Sequence, residues 1–335
     1  MPSFALRAAS WYLPTRSVAV EDLPELAALT PVQRESCLSL GIDRIRADDE
    51  LDAVELGVRS GRQALAEAGL SPDELDALIV IDSRAPEAFA VSEATRTQAL
   101  LGAGRALAFS VGGLGCTSIV PGLLAARGLL YADPDIRHVL VTHGSKPAAP
   151  HRYRHPVTVY GDCGQALVVA REGPVRILDI VAQTSGAYWD LFRVDFRDRP
   201  YEQWREECTD IPRYSFELAM ETRDRMRVLH RQILERNGRL PSDIRYHITQ
   251  NMSAGSFRFQ ADALGIAIDD ACPDNLRRYG HLGPNDVLLN LYSALARDGT
   301  AESAEALVFN ASPSASWSAM LVESGIRPGG RSHFL

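Results

Sequence analysis

The chain has 335 residues, 46% hydrophobic and 23% charged, with 25 Gly and 19 Pro, an ordinary globular composition that excludes disordered, collagenous and coiled-coil chains. Lys+Arg number 35 against 43 Asp+Glu, a net charge of -8 with no basic run, so neither nucleic acid nor an anionic membrane surface is expected as a partner. The length suits two units of roughly 150 residues, or one plan used twice. Met1 to Ser10 lacks the basic-then-apolar layout of a signal peptide. No stretch reaches the roughly 18 uninterrupted apolar residues of a membrane span. A soluble cytoplasmic protein is therefore expected.

In chain order, Leu51 to Gly69 carries Leu51, Val54, Val58, Leu65 and Ala68 on one face and stops at Gly69 with Pro72 beyond, the pattern of a terminated amphipathic helix. Strand-length and helical runs then alternate: Asp76 to Ile81, Ala94 to Leu101, Ala106 to Val111, Ser118 to Tyr131 and His138 to Thr142. That alternation predicts a mostly parallel sheet with crossover helices. Strands are predicted at Gln165 to Ala170 and from Val175 to Val181, after which the organisation repeats. A helix from about Phe216 to Arg236 is followed by a strand at Ile244 to Thr249, helices from Ser253 to Leu264 and Pro284 to Ala296, and strands near Leu307 to Phe309 and Trp317 to Val322. Two copies of one plan, 1–172 and 173–335, are expected to pack as one body, with no flexible linker between them. Tyr188 to Tyr214 is rich in aromatics and charges and reads as a loop region packed on that body, or as the wall of a bulky pocket.

Five cysteines, widely spaced and never in a CxxC pair, suit reduced thiols rather than disulfides or a zinc site. Cys116 is set apart by Gly112, Gly113 and Gly115, between a strand and a helix. At a helix start the dipole and free amides favour a thiolate and can hold an oxyanion. His281 precedes the apolar helix at Val287, with Asp286 in its first turn. A histidine oriented by a carboxylate and set beside a cysteine serves acyl transfer, but spacing alone cannot join the pair to Cys116. A nucleophile and a buried structural cysteine are both compatible with the local pattern at Cys116, as are a base and a capped surface histidine at His281. The loop around His151 and His155 reads as surface, and Cys37, Cys163, Cys208 and Cys272 as structural.

Nearly the whole chain resembles the β-ketoacyl-ACP synthase III family of the thiolase superfamily. Ser10-Trp11-Tyr12-Leu13-Pro14 is similar to its N-terminal G-x-Y-L-P, Gly41-Ile42-Asp43-Arg44 to its G-I-x-x-R turn, and Tyr160-Gly161-Asp162-Cys163-Gly164 to its F-G-D-G-A turn. Ala85 to Phe89 resembles the segment whose Phe enters a partner subunit's pocket, Cys116 matches the nucleophile, and Phe309 to Val322 the closing strand pair. The resemblance implies an α/β thiolase fold, with two pseudo-symmetric βαβαβ halves in five αβαβα layers, and a homodimer with Cys116 at the end of a tunnel.

The departures from that family matter as much. Its condensing members use Cys, His and Asn; here Gln250 falls at the His position, with His247 three residues upstream, and His281 falls at the Asn position. The change removes the pair that stabilises an enolate. Gly280-His281 followed by Gly283-Pro284-Asn285-Asp286 is similar to a subgroup of acyltransferases from natural-product pathways with a nucleophile, His and Asp. That likeness implies Cys116 as nucleophile, His281 as base and acid, and Asp286 as its orienter. The Cys116 and Ser314 amides are the expected oxyanion donors, with Ser312 an alternative to Ser314, and Phe89, His247, Gln250 and Asn251 the expected pocket residues. No tightly bound cofactor and no metal are implied. The implied donor is an acyl thioester of phosphopantetheine, on an acyl carrier protein rather than coenzyme A because Glu35 and Ser39 replace the adenine clamp. A small-molecule hydroxyl or amine, or a carrier thiol, would receive the acyl group. The alternatives are decarboxylative condensation with malonyl-ACP and a non-catalytic partner subunit.

Overall fold

A computed structural model describes residues 3–298 and 303–325. Nine strands form one sheet: β1 (Phe4–Tyr12), β2 (Ala77–Ile81), β3 (Leu107–Val111), β4 (Val139–Ser145), β5 (Cys163–Ala170), β6 (Val175–Thr184), β7 (Ile244–Ile248), β8 (Ala304–Ser312) and β9 (Ser316–Ser324). Their spatial order is β7-β8-β9-β6-β1-β5-β4-β2-β3. β1 and β6 lie antiparallel at the middle, and on each side the neighbours run antiparallel twice and then parallel. The eight helices are α1 (Pro31–Leu38), α2 (Ala53–Ala68), α3 (Glu93–Leu101), α4 (Ile119–Ala132), α5 (Ala219–Asn237), α6 (Ala254–Leu264), α7 (Ala271–Tyr279) and α8 (Asp286–Asp298).

Hydrophobic burial sorts these elements into layers. Ile119, Leu123 and Ala126 of α4 share one cluster with Val287, Leu288 and Leu291 of α8, and strand residues from both sides of the sheet close over them, Ile79, Val141 and Leu167 from one and Ile248, Val308 and Met320 from the other. Val58 and Leu65 of α2 pack on the opposite strand face at Leu78, Leu140 and Val168. Leu229 and Ile233 of α5 pack on Leu307, Phe309 and Trp317. This is the αβαβα sequence of layers, with α4 and α8 innermost. The run Gly115–Ala132 has the length and hydropathy of a membrane span, which the uninterrupted-run test passed over because of Arg127, and half of it is buried within the protein.

Several elements depart from the sequence reading. It assigns no strand at β1, whose residues it weighs only as a leader and as the Ser10–Pro14 motif, and no helix at α1. α7 contains Pro273, which reads as a breaker but sits in the first turn, where its missing N–H costs nothing. Within Tyr188 to Tyr214, Phe192–Val194 and Glu206–Cys208 pair as a two-stranded ribbon. The loop around His151 is likewise no open surface: Tyr153 is 8% and Arg154 5% exposed.

α2 lies hard against β4 and β5, where a Cβ on Gly144 or Gly164 would collide with the Ala53 or Leu56 carbonyl. The approach to α2 is tied down by Lys146, whose Nζ donates to the Asp48 and Leu51 carbonyls at 2.8 and 2.6 Å. Gly144→Ala should therefore cost about 3 kcal/mol, the upper end of ordinary overpacking, in urea unfolding. Gly128→Ala, at an exposed position of α4 with nothing within 4 Å of the new Cβ, should instead stabilise by about 0.5 kcal/mol.

Candidate active site

Cys116 lies in the 3-10 turn Gly115–Ser118 that leads into α4, and His281 precedes the turn Gly283–Asn285 that leads into α8. Because the two innermost helices begin side by side, the turns meet although 165 positions separate the residues. Cys116 Sγ lies 2.9 Å from His281 Nε2, and His281 Nδ1 lies 2.5 Å from Asp286 Oδ2. All three side chains are buried. Asp286 also accepts the Leu282 N–H at 2.8 Å and the Asn251 N–H at 2.9 Å. The His281 main chain is pinned in turn, its N–H donating to Val159 and its carbonyl accepting from Gly161.

Burial alone would push the Cys116 thiol up; the adjoining His281, with Arg154 and Arg84, brings it below its ordinary value. Burial would likewise depress His281, and the charges of Cys116 and Asp286 override it, raising the imidazole to about 10. Each partner thus favours the charged form of the other, a thiolate beside an imidazolium. Among the other cysteines, burial pushes Cys37 and Cys272 up to about 12 and raises Cys163 further.

The nucleophile turn is fastened to the β8–β9 hairpin. Asn310 Nδ2 donates to the Cys116 carbonyl at 2.9 Å, Thr117 Oγ1 bonds Ser316 Oγ, and Ser316 Oγ donates to the Leu114 carbonyl at 3.0 Å. Gly115 has φ +55°, and a Cβ there would lie 3.0 Å from Ser314 Oγ. The Cys116 amide stands in the first turn of the helical run, where N–H groups lack intrahelical acceptors.

The remaining expected site residues are placed differently. The Ser314 N–H donates to Ser312 Oγ at 3.3 Å, so that amide is occupied as an oxyanion donor. The Gln250 amide donates to the Ala311 carbonyl at 2.7 Å and its oxygen accepts the Ala311 N–H at 3.2 Å, clamping the end of β7 to β8. Asn251 accepts from Asn290 at 2.8 Å and reaches the site through its backbone bond to Asp286. His247 is paired in register with Leu307, on the face packed by α5, and burial next to His230 depresses it to about 4. Phe89 is 73% exposed and stacks on Phe196 at 5.9 Å, outside its own chain's site.

A further group beside the triad was not found from sequence. The Tyr160 ring lies 5.4 Å from that of His281, and the Arg84 guanidinium stands 4.5 Å from the centroid of the same Tyr160 ring. Arg84 and Arg154 both pair with Glu206, the latter at 2.8 Å. Arg154 Nη1 donates to the Tyr160 hydroxyl at 3.2 Å, which donates to Glu206 at 3.2 Å. Buried Asp162, gripping Arg152 at 2.7 and 3.0 Å, fixes the loop that carries Arg154. The fragments come from three irregular segments with no shared period; the one local signal was an Arg directly before the Ala85 to Phe89 motif.

The family model described as 3-oxoacyl-[acyl-carrier-protein (ACP)] synthase III C terminal matches residues 234–324. A curated relative from Cereibacter sphaeroides, named β-ketoacyl-[acyl-carrier-protein] synthase III, is 38% identical over 200 residues, 57% of this chain and 60% of that protein. Over these stretches the chain is similar to β-ketoacyl-ACP synthase III proteins. The match spans less than two thirds of that relative's length. Two solved structures extend the likeness of fold to almost every residue of this chain. The synthase III of Aquifex aeolicus has a TM-score of 0.76 and 21% identity over 95% of this chain and 99% of its own. ChlB3, described as an acyltransferase, has a TM-score of 0.81 and 20% identity over 98% and 100%.

A thiol held below its ordinary value remains thiolate as pH falls beneath about 8.5, the free-thiol midpoint. Iodoacetamide should therefore alkylate Cys116 with a midpoint below that of a free thiol, while Cys163 and Cys272 stay unmodified. Asp286→Asn removes the charge that supports the imidazolium, so the alkylation midpoint should rise by at least about one unit; peptide mass mapping across pH reads both.

Proposed function

We propose that this protein is an acyltransferase, taking an acyl group from a phosphopantetheine thioester onto Cys116 and passing it to a hydroxyl, amine or carrier-protein thiol in natural-product biosynthesis. The observation that carries this reading is the chain of contacts Cys116–His281–Asp286. Gln250 supports it from the other side, since its side chain is spent on Ala311 and offers nothing to stabilise an enolate.

The Cys116 thiolate attacks the thioester carbonyl, and the Cys116 amide in the helix start receives the developing oxyanion. The new C–S bond forms as the pantetheine C–S bond breaks, and the departing sulfur takes the proton from His281 Nε2. The neutral imidazole, its Nδ1–H held by Asp286, then removes the proton from the acceptor as the acceptor attacks. The acyl–Sγ bond breaks and the thiolate–imidazolium pair returns. An acyl carrier protein is the preferred donor because Glu35 and Ser39 leave no adenine clamp. The working form is a homodimer: β3 is an outer strand whose apolar Leu107 is 59% exposed, and Phe89 stands 73% exposed nearby in sequence.

Incubation with a panel of acyl-ACP and acyl-CoA thioesters should give a single-acyl adduct by intact mass, absent in Cys116→Ala. Malonyl-ACP added to the adduct should leave it in place; discharge with release of carbon dioxide would establish condensation instead. With an acceptor present, Asp286→Asn should slow turnover by about 10⁴-fold, the loss typical when a triad acid is neutralised, with the circular dichroism spectrum unchanged.

A further inference from the structure

The buried polar group behind Tyr160 favours the Cys116 thiolate but neither takes a proton nor receives the acyl group in the transfer steps described above. Its charges do not cancel: Arg84 and Arg154 are permanent cations, Glu206 is their single ionised partner, and their side chains are only 19%, 5% and 12% exposed. One positive charge is left over in a site of low dielectric, where uncompensated charge is costly. Both arginines also retain an unused donor, since Arg84 Nε and Arg154 Nε are buried without an acceptor.

Their position ties them to the nucleophile. Two short steps, 5.4 Å from the His281 ring to Tyr160 and 4.5 Å from Tyr160 to Arg84, lead from the triad to this group. Phe192 of the ribbon packs on the far side, its ring 3.9 Å from the Arg154 guanidinium. In the resting protein the thiolate of Cys116 acts on both arginines. Once the sulfur becomes a thioester and His281 has given up its proton, the thiolate that faced the arginines is gone, and both Nε donors still lack an acceptor. A carboxylate at the distal end of the acyl group faces the surplus cation of the Arg84–Arg154–Glu206 group and accepts the two N–H groups. A wholly apolar acyl chain does neither.

Resting on the acyl transfer proposed above, we infer that Arg84 and Arg154 form the acyl-end subsite of the Cys116 pocket, and that the acyl group carried is a short one ending in a carboxylate. Glu206 and Tyr160 act as positioning residues that hold the two guanidinium groups.

The test compares succinyl and butyryl thioesters of pantetheine, a pair of equal chain length differing in the terminal carboxylate. Succinylation of Cys116, followed by intact mass, should outrun butyrylation by at least about tenfold. Arg84→Gln should bring the two rates to within about threefold of each other, and Arg84→Lys should restore part of the preference. In the unmodified protein, free succinate but not butyrate should slow iodoacetamide alkylation of Cys116, a readout independent of whether the variants fold. Equal rates for the two thioesters, or equal protection by the two acids, would overturn the carboxylate subsite and leave acyl transfer standing. No adduct on Cys116 from either thioester would overturn acyl transfer and the subsite together.

Discussion

A carboxylate with no solvent around it organises the centre of this molecule. Asp286 is fully buried, and an isolated ionised carboxyl in such a place is expensive. It is tolerated because three donors converge on it: the His281 ring and the amides of Leu282 and Asn251. Those donors come from the turn before α8 and from the segment after β7, so satisfying one charge fixes the relation of two chain segments. The His281 ring is left with one orientation, its Nε2 toward Cys116. The same contact sets the tautomer, since Nδ1 must carry a proton to serve the carboxylate.

The constraint extends across the pseudo-symmetric plan. Cys116 belongs to the first half of the chain, His281 and Asp286 to the second, and Asn310 of the second half holds the carbonyl of Cys116 itself. Asn285 reaches back to the Cys163 carbonyl at 3.1 Å. With α4 and α8 sharing one core, the contact of Cys116 with His281 exists only in the assembled body, and packing errors between the two innermost helices would be felt first at the sulfur.

How much of this could be read from sequence depends on whether the signal was local. The glycines before Cys116 and the acid in the first turn of α8 are local, so both ends of the triad contact could be named, though their meeting needed the fold. The crossover plan followed from alternating apolar runs and the layer order from the family likeness, whereas α7 was hidden by a proline that a first turn accepts. Gln250 and Asn251 were placed in a pocket from family register alone; polar side chains at a buried strand end first satisfy neighbouring backbone and side-chain groups, and that demand took them. His247 failed by alternation, since one step along a strand turns a side chain to the opposite face. Arg84, Arg154 and Glu206 carry no pattern at all, and only three-dimensional burial of like charges makes them conspicuous.

Lys146 is the one lysine in the chain, the other 34 basic residues being arginine, and its amine is engaged by two carbonyls ahead of α2. Activated acyl groups react spontaneously with free amines, and guanidinium groups, always protonated, do not compete. A protein handling thioesters with this composition has almost no side-chain amine on which to lose its cargo. Acyl mass gained by the whole chain is therefore an unusually clean report of what its thiols have done.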